Sequence, residues 1–378
     1  MATVVIAGGG VIGLSVAWRA AQRGFGVTVV DPAPGRGASY AAAGMLTPVS
    51  EAAYAEKELL ALGAASLGLY PAFTAELTEA SGQPAAFRRT GTLQAGYDAD
   101  DLAVIDELRV LQDSLGVPGQ RLTARECRRL EPMLDPSVRG GLLVEGDGSV
   151  DPRLLTAALQ TAAARAGVRM VAQPVTQLAK DPDTERFRGV SLADGRLIAA
   201  DWTVLAAGWE SPAIAGLPPD CVPPVRPVKG QIIRLRAPDG SFLRRSVRGV
   251  VKGSSVYLVP RENGELVIGA TQEELGPDTR VTAGGLWELL RDARTLVPGI
   301  TELEFTEAVA RLRPGTPDNG PVLGPCRADG LVLATGHFRN GVLLAPVTAD
   351  VITAYLETGR MPEVAAHFTI DRFQGGRE

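Results

Sequence analysis

Cysteine is scarce: 378 residues hold only Cys127, Cys221 and Cys326, and no CxxC. So odd, sparse and widely spaced a set argues for a reducing compartment and against a disulfide framework or a zinc site. Histidine is scarcer still. His337 and His367 stand alone, without a spacing that would hold a metal or build a triad, and no nucleophile elbow occurs. Excess charge of one sign is missing too: 38 basic against 43 acidic residues give a net charge of −5 and a pI near 5.4. Nothing there attracts nucleic acid or an anionic membrane. No uninterrupted apolar run reaches the roughly 18 residues of a membrane span. The apolar opening, ATVVIAGGGVIGLSVAW, lacks the basic flank of a signal peptide. The expectation is a soluble cytoplasmic protein of about two domains.

Glycine is abundant, and its placement carries chemistry. VVIA reads as a buried strand, followed by Gly8-x-Gly10-x-x-Gly13, a helical stretch to Gly24, and a second strand ending at Asp31. In such a unit the first glycine turns the chain, the second admits a pyrophosphate, and the third lets helix and strand close up. The helix N-terminus faces the phosphates and the terminal acid takes a ribose hydroxyl. Strand, glycines, helix, strand and acid are all in register, so the unit predicts dinucleotide binding; the bland alternative is a tight strand–helix turn. A plain nicotinamide domain would deliver a third core strand next. Instead come GRGASYAAAGMLTP and a long helical pattern, and the next such unit opens only at Asp151-Pro152, an N-cap and first helical residue. A split domain of this kind is more typical of flavin enzymes, by analogy of fold.

Further on, DADDLAVIDELRVLQDSLG opens on acids as a helix, and Thr123 and Glu126 form a capping box. Asp194-Gly195 signals a type I′ hairpin turn. VRMVAQPV reads as one strand, residues 225–271 as sheet, and a helix runs from just after Arg339 to Gly359.

GGGVIG, AAAGML, VLAAGW, RPVKGQ, YLVPR, RLRPGTPD and GHFRNGVLLAP, in that order along nearly the whole chain, resemble the FAD-dependent D-amino-acid oxidase superfamily, glycine oxidases above all. The resemblance implies an α/β fold: a split Rossmann-like FAD domain (1–84, 143–223 and 306–378) interleaved with an antiparallel α+β substrate domain (85–142 and 224–305). It implies a small amino acid or amine as substrate, molecular oxygen as acceptor, and imine and hydrogen peroxide as products. For glycine, the imine would serve thiamine thiazole synthesis. The cofactor-binding positions it implies are Gly8, Gly10, Val11, Ile12, Gly13, Asp31, Pro32, Ala38, Ser39, Ala43, Gly44, Met45, Val175, Ala207 and Gly208. The run His337, Phe338, Arg339, Asn340, Gly341, Val342 and Leu343 completes them. Arg311 stands where sarcosine oxidases carry their flavin-linking cysteine, so FAD is expected to be noncovalent. Homo-oligomer formation stays open.

For the substrate carboxylate the resemblance implies Arg313, Arg339 and Tyr257, with Met45 lining the pocket. Arg339 lies in LVLATGHFRNGVLLAPV, where a guanidinium needs an anion. Either the substrate or a structural acid supplies it; the expectation is the substrate, with no native ion pair. Val309, Arg311 and Arg313 share a strand face by period two, and strand geometry alone does not choose between the arginines. Ser255 replaces the family's histidine two residues before Tyr257, which leaves the substrate range open. No side-chain acid or base is required, because a neutral amine can lose hydride directly to a flavin. Other readings are a D-amino-acid or sarcosine oxidase or dehydrogenase, an NAD-dependent dehydrogenase, and a non-catalytic flavoprotein subunit.

Overall fold

The computed structural model describes residues 1–117, 119–238, 240 and 242–374. Two large sheets organise them. The first has six strands in the order Val322–Pro325, Leu331–Thr335, Trp202–Leu205, Thr3–Ala7, Gly26–Val30 and Arg169–Val171. All but the edge strand Val322–Pro325 run parallel. That explains their unbroken apolar runs: both faces are covered. The helices Val11–Gln22, Lys57–Ser81, Pro152–Arg165 and Ala345–Thr358 cover one face, and a three-stranded layer built from Val175–Lys180, Phe187–Leu192 and Leu197–Ala199 covers the other. Lys57–Ser81 is long and apolar enough for a membrane span by composition, yet Leu62, Ser66, Tyr70, Phe73 and Leu77 form a buried stripe in this core.

The second sheet has eight strands: Glu304–Gly315, Arg226–Arg236, Glu265–Gly269, Ser254–Pro260, Ser246–Val251, Thr92–Gly96, Gly140–Val144 and Gln120–Thr123. The helix Ala283–Leu296, N-capped by Thr282, covers one face. The other face turns toward the glycine turn across a small cluster that includes Ala41, Ala43, Ile232 and Val309.

Several expectations change. Glu304–Gly315 pairs along its length with Arg226–Arg236, so the chain leaves the second sheet near residue 315 rather than 306. Gly140–Val144 also belongs wholly to that sheet, past the expected break at 142. VRMVAQPV divides: Arg169–Val171 joins the six-stranded sheet and Val175 begins another layer, with Pro174, which has no N–H to donate, at the break. At Asp194-Gly195 only Gly195 has positive φ (84°), so the turn is not type I′. The last helix starts at Ala345, where Pro346 fits its first turn, and a short 3-10 turn, Phe338–Asn340, precedes it. Cys221 and Cys326 are joined as a disulfide with Cα atoms 5.5 Å apart across 105 residues, against the expectation that the cysteines form no disulfide. Linear spacing did not report that folded proximity.

Candidate active site

A cleft of about 1390 Å³ runs between the two sheets. One end is the glycine turn. A Cβ on Gly13 would lie 1.9 Å from the Gly8 carbonyl oxygen, so only glycine lets helix and strand approach this closely. The helix begins at Val11 behind Gly10, which supplies no side-chain cap; the Val11 N–H donates to Ser39 Oγ at 3.0 Å. Such a helix N-terminus offers N–H groups and partial positive charge to phosphates. Asp31 lines the cleft, but its carboxylate is already engaged: it accepts from the N–H of Gly9 and of Ala33, each at 2.7 Å. It therefore braces the loop while lining the cleft.

Two sets of contacts shape the middle. Arg261, buried, donates to the carbonyls of Ala43 and Val150 and pins AAAGML against the cleft. Tyr70 and Ser66, from the long helix, donate to the carbonyls of Val342 and Leu343 and hold the turn after Arg339. The sequence reading singled out none of these three. His337 is buried beside Thr348 (Nε2 to Oγ1, 3.0 Å), and burial holds its imidazole down at about 3, hence neutral.

At the other end Tyr257 and Arg313 meet. Val228 faces Arg313, and Tyr257 faces Gly269, across adjacent strands. A Cβ on Gly230 would lie 2.3 Å from the Arg313 guanidinium, and one on Gly269 2.4 Å from the Tyr257 hydroxyl. The two glycines thus hollow out the space these groups occupy. Desolvation raises the Tyr257 phenol, and the neighbouring Arg313 and Arg248 only partly offset it, so it stays a donor. Arg313 Nη1 donates to the carbonyls of Thr271 (3.1 Å) and Lys229 (3.4 Å).

Arg339 differs from its expectation. Its Nε lies 3.2 Å from Glu51 and its Nη2 3.0 Å from Glu56. Glu51 also pairs with Arg248, which the sequence reading did not single out. Burial pushes the Glu51 carboxyl up, but Arg248 and Arg339 outweigh it and hold the group below its ordinary value. Among the described residues, five arginines line the cleft. Arg248 and Arg339 are paired with carboxylates, whereas Arg36, Arg311 and Arg313 have none within ion-pair distance among the described residues. Arg36 and Arg311 stack on Tyr40, with Arg311 donating to backbone carbonyls, which leaves Arg313 as the one beside Tyr257. Every expected cofactor and substrate position lines the cleft except Gly13 and Leu343. Gly13 packs inside the turn, and the buried Leu343 faces Gly63 of the long helix.

A glycine turn and helix start at one end, small residues along the middle and an arginine–tyrosine pocket at the other are the arrangement of a dinucleotide-dependent oxidoreductase. Residues 3–355 match the family described as FAD dependent oxidoreductase, and the chain belongs to that family. It is 34% identical to a glycine oxidase of Geobacillus kaustophilus, over 98% of this chain and 97% of that one. The crystal structure of glycine oxidase from that organism superposes with a TM-score of 0.88 at 32% identity, covering 98% and 99% of the two chains. Iminodiacetate oxidase from Chelativorans sp. gives 0.85 at 27% identity, covering 97% and 98%. A bifunctional protein ThiO/ThiG of Trichormus variabilis is 33% identical over 98% of this chain, which spans about half (55%) of that longer protein. FAD is the cofactor this cleft takes: the glycine turn and Ser39 would hold its phosphates, and Ala43 to Met45 with His337 to Val342 its ring end.

Proposed function

We propose that the chain is an FAD-dependent amino-acid oxidase acting on glycine and other small amino acids or amines. The observation that carries this is Arg313: a guanidinium in the cleft, beside the Tyr257 phenol, with no carboxylate within ion-pair distance among the described residues. A substrate carboxylate supplies the missing anion and gains a charge-assisted, planar grip from the guanidinium and a bond from Tyr257. That contact fixes the α-carbon, and Met45, Ile232 and Ala270 give the cleft apolar walls. Bound FAD supplies the oxidation, taking two electrons from the CH–NH₂ unit and passing them to oxygen, so that amine and O₂ become imine and hydrogen peroxide.

No protein base is needed at the reacting carbon, and neutral His337, tied to Thr348, is no candidate for one. The residues orient the substrate and exclude water. Likeness to glycine oxidases and to the bifunctional ThiO/ThiG protein supports glycine as a substrate and its imine as a precursor for thiamine thiazole synthesis. The test is a panel of glycine, sarcosine and both alanine enantiomers under air, read as peroxide. Glycine should give peroxide. A yellow protein silent on the whole panel would exclude the reading.

A further inference from the structure

The cleft contains a second place for an anion, and the chain itself fills it. Arg248 lies directly opposite Tyr257 in the paired strands, and Gln94 lies opposite Arg248 on the other side. Arg248 is thus one strand beyond Tyr257, on the side away from Arg313 in the strand order, about 5 Å by ordinary strand spacing. Glu51 bridges Arg248 and Arg339, its oxygens divided between the two guanidiniums. The segment that delivers it is fixed: Thr47 Oγ1 bonds Glu51 at 3.2 Å, Ser50 donates to buried Asp147, and Gln94 Nε2 donates to the Ser50 carbonyl at 2.7 Å. Three guanidiniums, Arg248, Arg313 and Arg339, therefore stand against two carboxylates, Glu51 and Glu56. The balance has room for one further negative charge.

We propose that Glu51 sets the charge selectivity of the site: it occupies an anion subsite formed by Arg248 and Arg339, so that amino acids with one carboxylate are taken and those with a second are refused until Glu51 is removed. The inference rests on the assignment of the substrate carboxylate to Arg313 and Tyr257. A second substrate carboxylate must displace Glu51 or lie against it, and like charges in a desolvated site repel strongly. Ser255 adds room on the same strand face as Tyr257, so charge rather than bulk is the barrier.

The test uses holoenzyme of wild type, Glu51→Ala, Glu51→Gln and the double variant Glu51→Ala/Arg248→Met. Acetate and malonate are titrated against the visible spectrum of the bound flavin, and glycine and iminodiacetate are compared by kcat/KM. Glu51→Ala should shift the malonate-to-acetate affinity ratio, and the iminodiacetate-to-glycine kcat/KM ratio, toward the diacid by about tenfold or more. Glu51→Gln, which keeps the shape and removes the charge, should move both ratios the same way by less, and decides the matter should the alanine variant not fold. Arg248→Met in the double variant should abolish the gain. Unchanged ratios in a folded Glu51 variant, or a gain that survives loss of Arg248, overturn the proposal. A wild type that responds to neither acetate nor glycine sinks the carboxylate assignment beneath it.

Discussion

Arg313→Ala and Arg339→Ala, made side by side, separate a substrate arginine from a structural one. Arg313 contributes to the fold through two carbonyl contacts at 3.1 and 3.4 Å and no ion pair. Its removal should leave stability nearly intact and take away a charge-assisted bond worth about 1.5–3 kcal/mol, roughly 10- to 150-fold in kcat/KM for glycine. An amine without a carboxylate, such as methylamine, never used that bond and should lose little. Arg313→Lys should rescue in part, since an ammonium lacks the planar fork. Arg339 is 34% exposed and holds Glu51 and Glu56. Discounted for water, that pairing is worth about 1–2 kcal/mol, so Arg339→Ala should lower Tm by a few degrees. Glycine and methylamine should then suffer alike. The assays are steady-state peroxide release with both substrates and thermal melts of each holoenzyme. A selective loss of glycine turnover in Arg339→Ala with unchanged Tm, and none in Arg313→Ala, would refute the assignment.

Gly230→Ala places a methyl against the Arg313 guanidinium (2.3 Å), the movable end of a side chain; kcat/KM for glycine should fall about tenfold with Tm little changed, by kinetics and melting. Asp31→Ala removes acceptors from Gly9 and Ala33 and should weaken FAD retention by about tenfold or more, read as cofactor lost on dilution; unchanged affinity would mean the loop holds without it. Burial raises the Asp147 carboxyl from 3.8 to about 7, against the bond from Ser50. A raised acid stabilises the fold below its unfolded value and loses that contribution as pH rises through about 7. Asp147→Asn should therefore flatten the Tm–pH curve between roughly pH 4 and 7 and gain up to ~4 kcal/mol relative to wild type above it. Acid precipitation should leave the yellow colour in the supernatant, since Arg311 offers no sulfur for a flavin link; coloured pellets would show a covalent bond.

Local signals carried far in this chain. Strand, glycines and helix fell as expected at residues 3–30, and the caps at Asp151 and Thr123 are both real, because each depends on neighbours a few residues apart. The resemblance brought Arg313 and Tyr257 to one pocket, which strand periodicity alone could not do. What stayed hidden depends on distant pairing. Glu51 and Glu56 meet Arg339 across more than 280 residues, and nothing in a run of small residues marks Glu51 as that partner. Arg248 looks like any strand arginine until its register places it opposite Tyr257. Gly230 and Gly269 read as weak strand positions; their meaning is the side chains they make room for. The Cys221–Cys326 pair was masked by its 105-residue separation.

The most direct measurement mixes the purified holoenzyme with glycine in the absence of oxygen. The account predicts that the yellow flavin bleaches with saturation in glycine, and that admitted air restores the colour with about one peroxide per flavin. A flavin that stays yellow with glycine, sarcosine and alanine alike would contradict it.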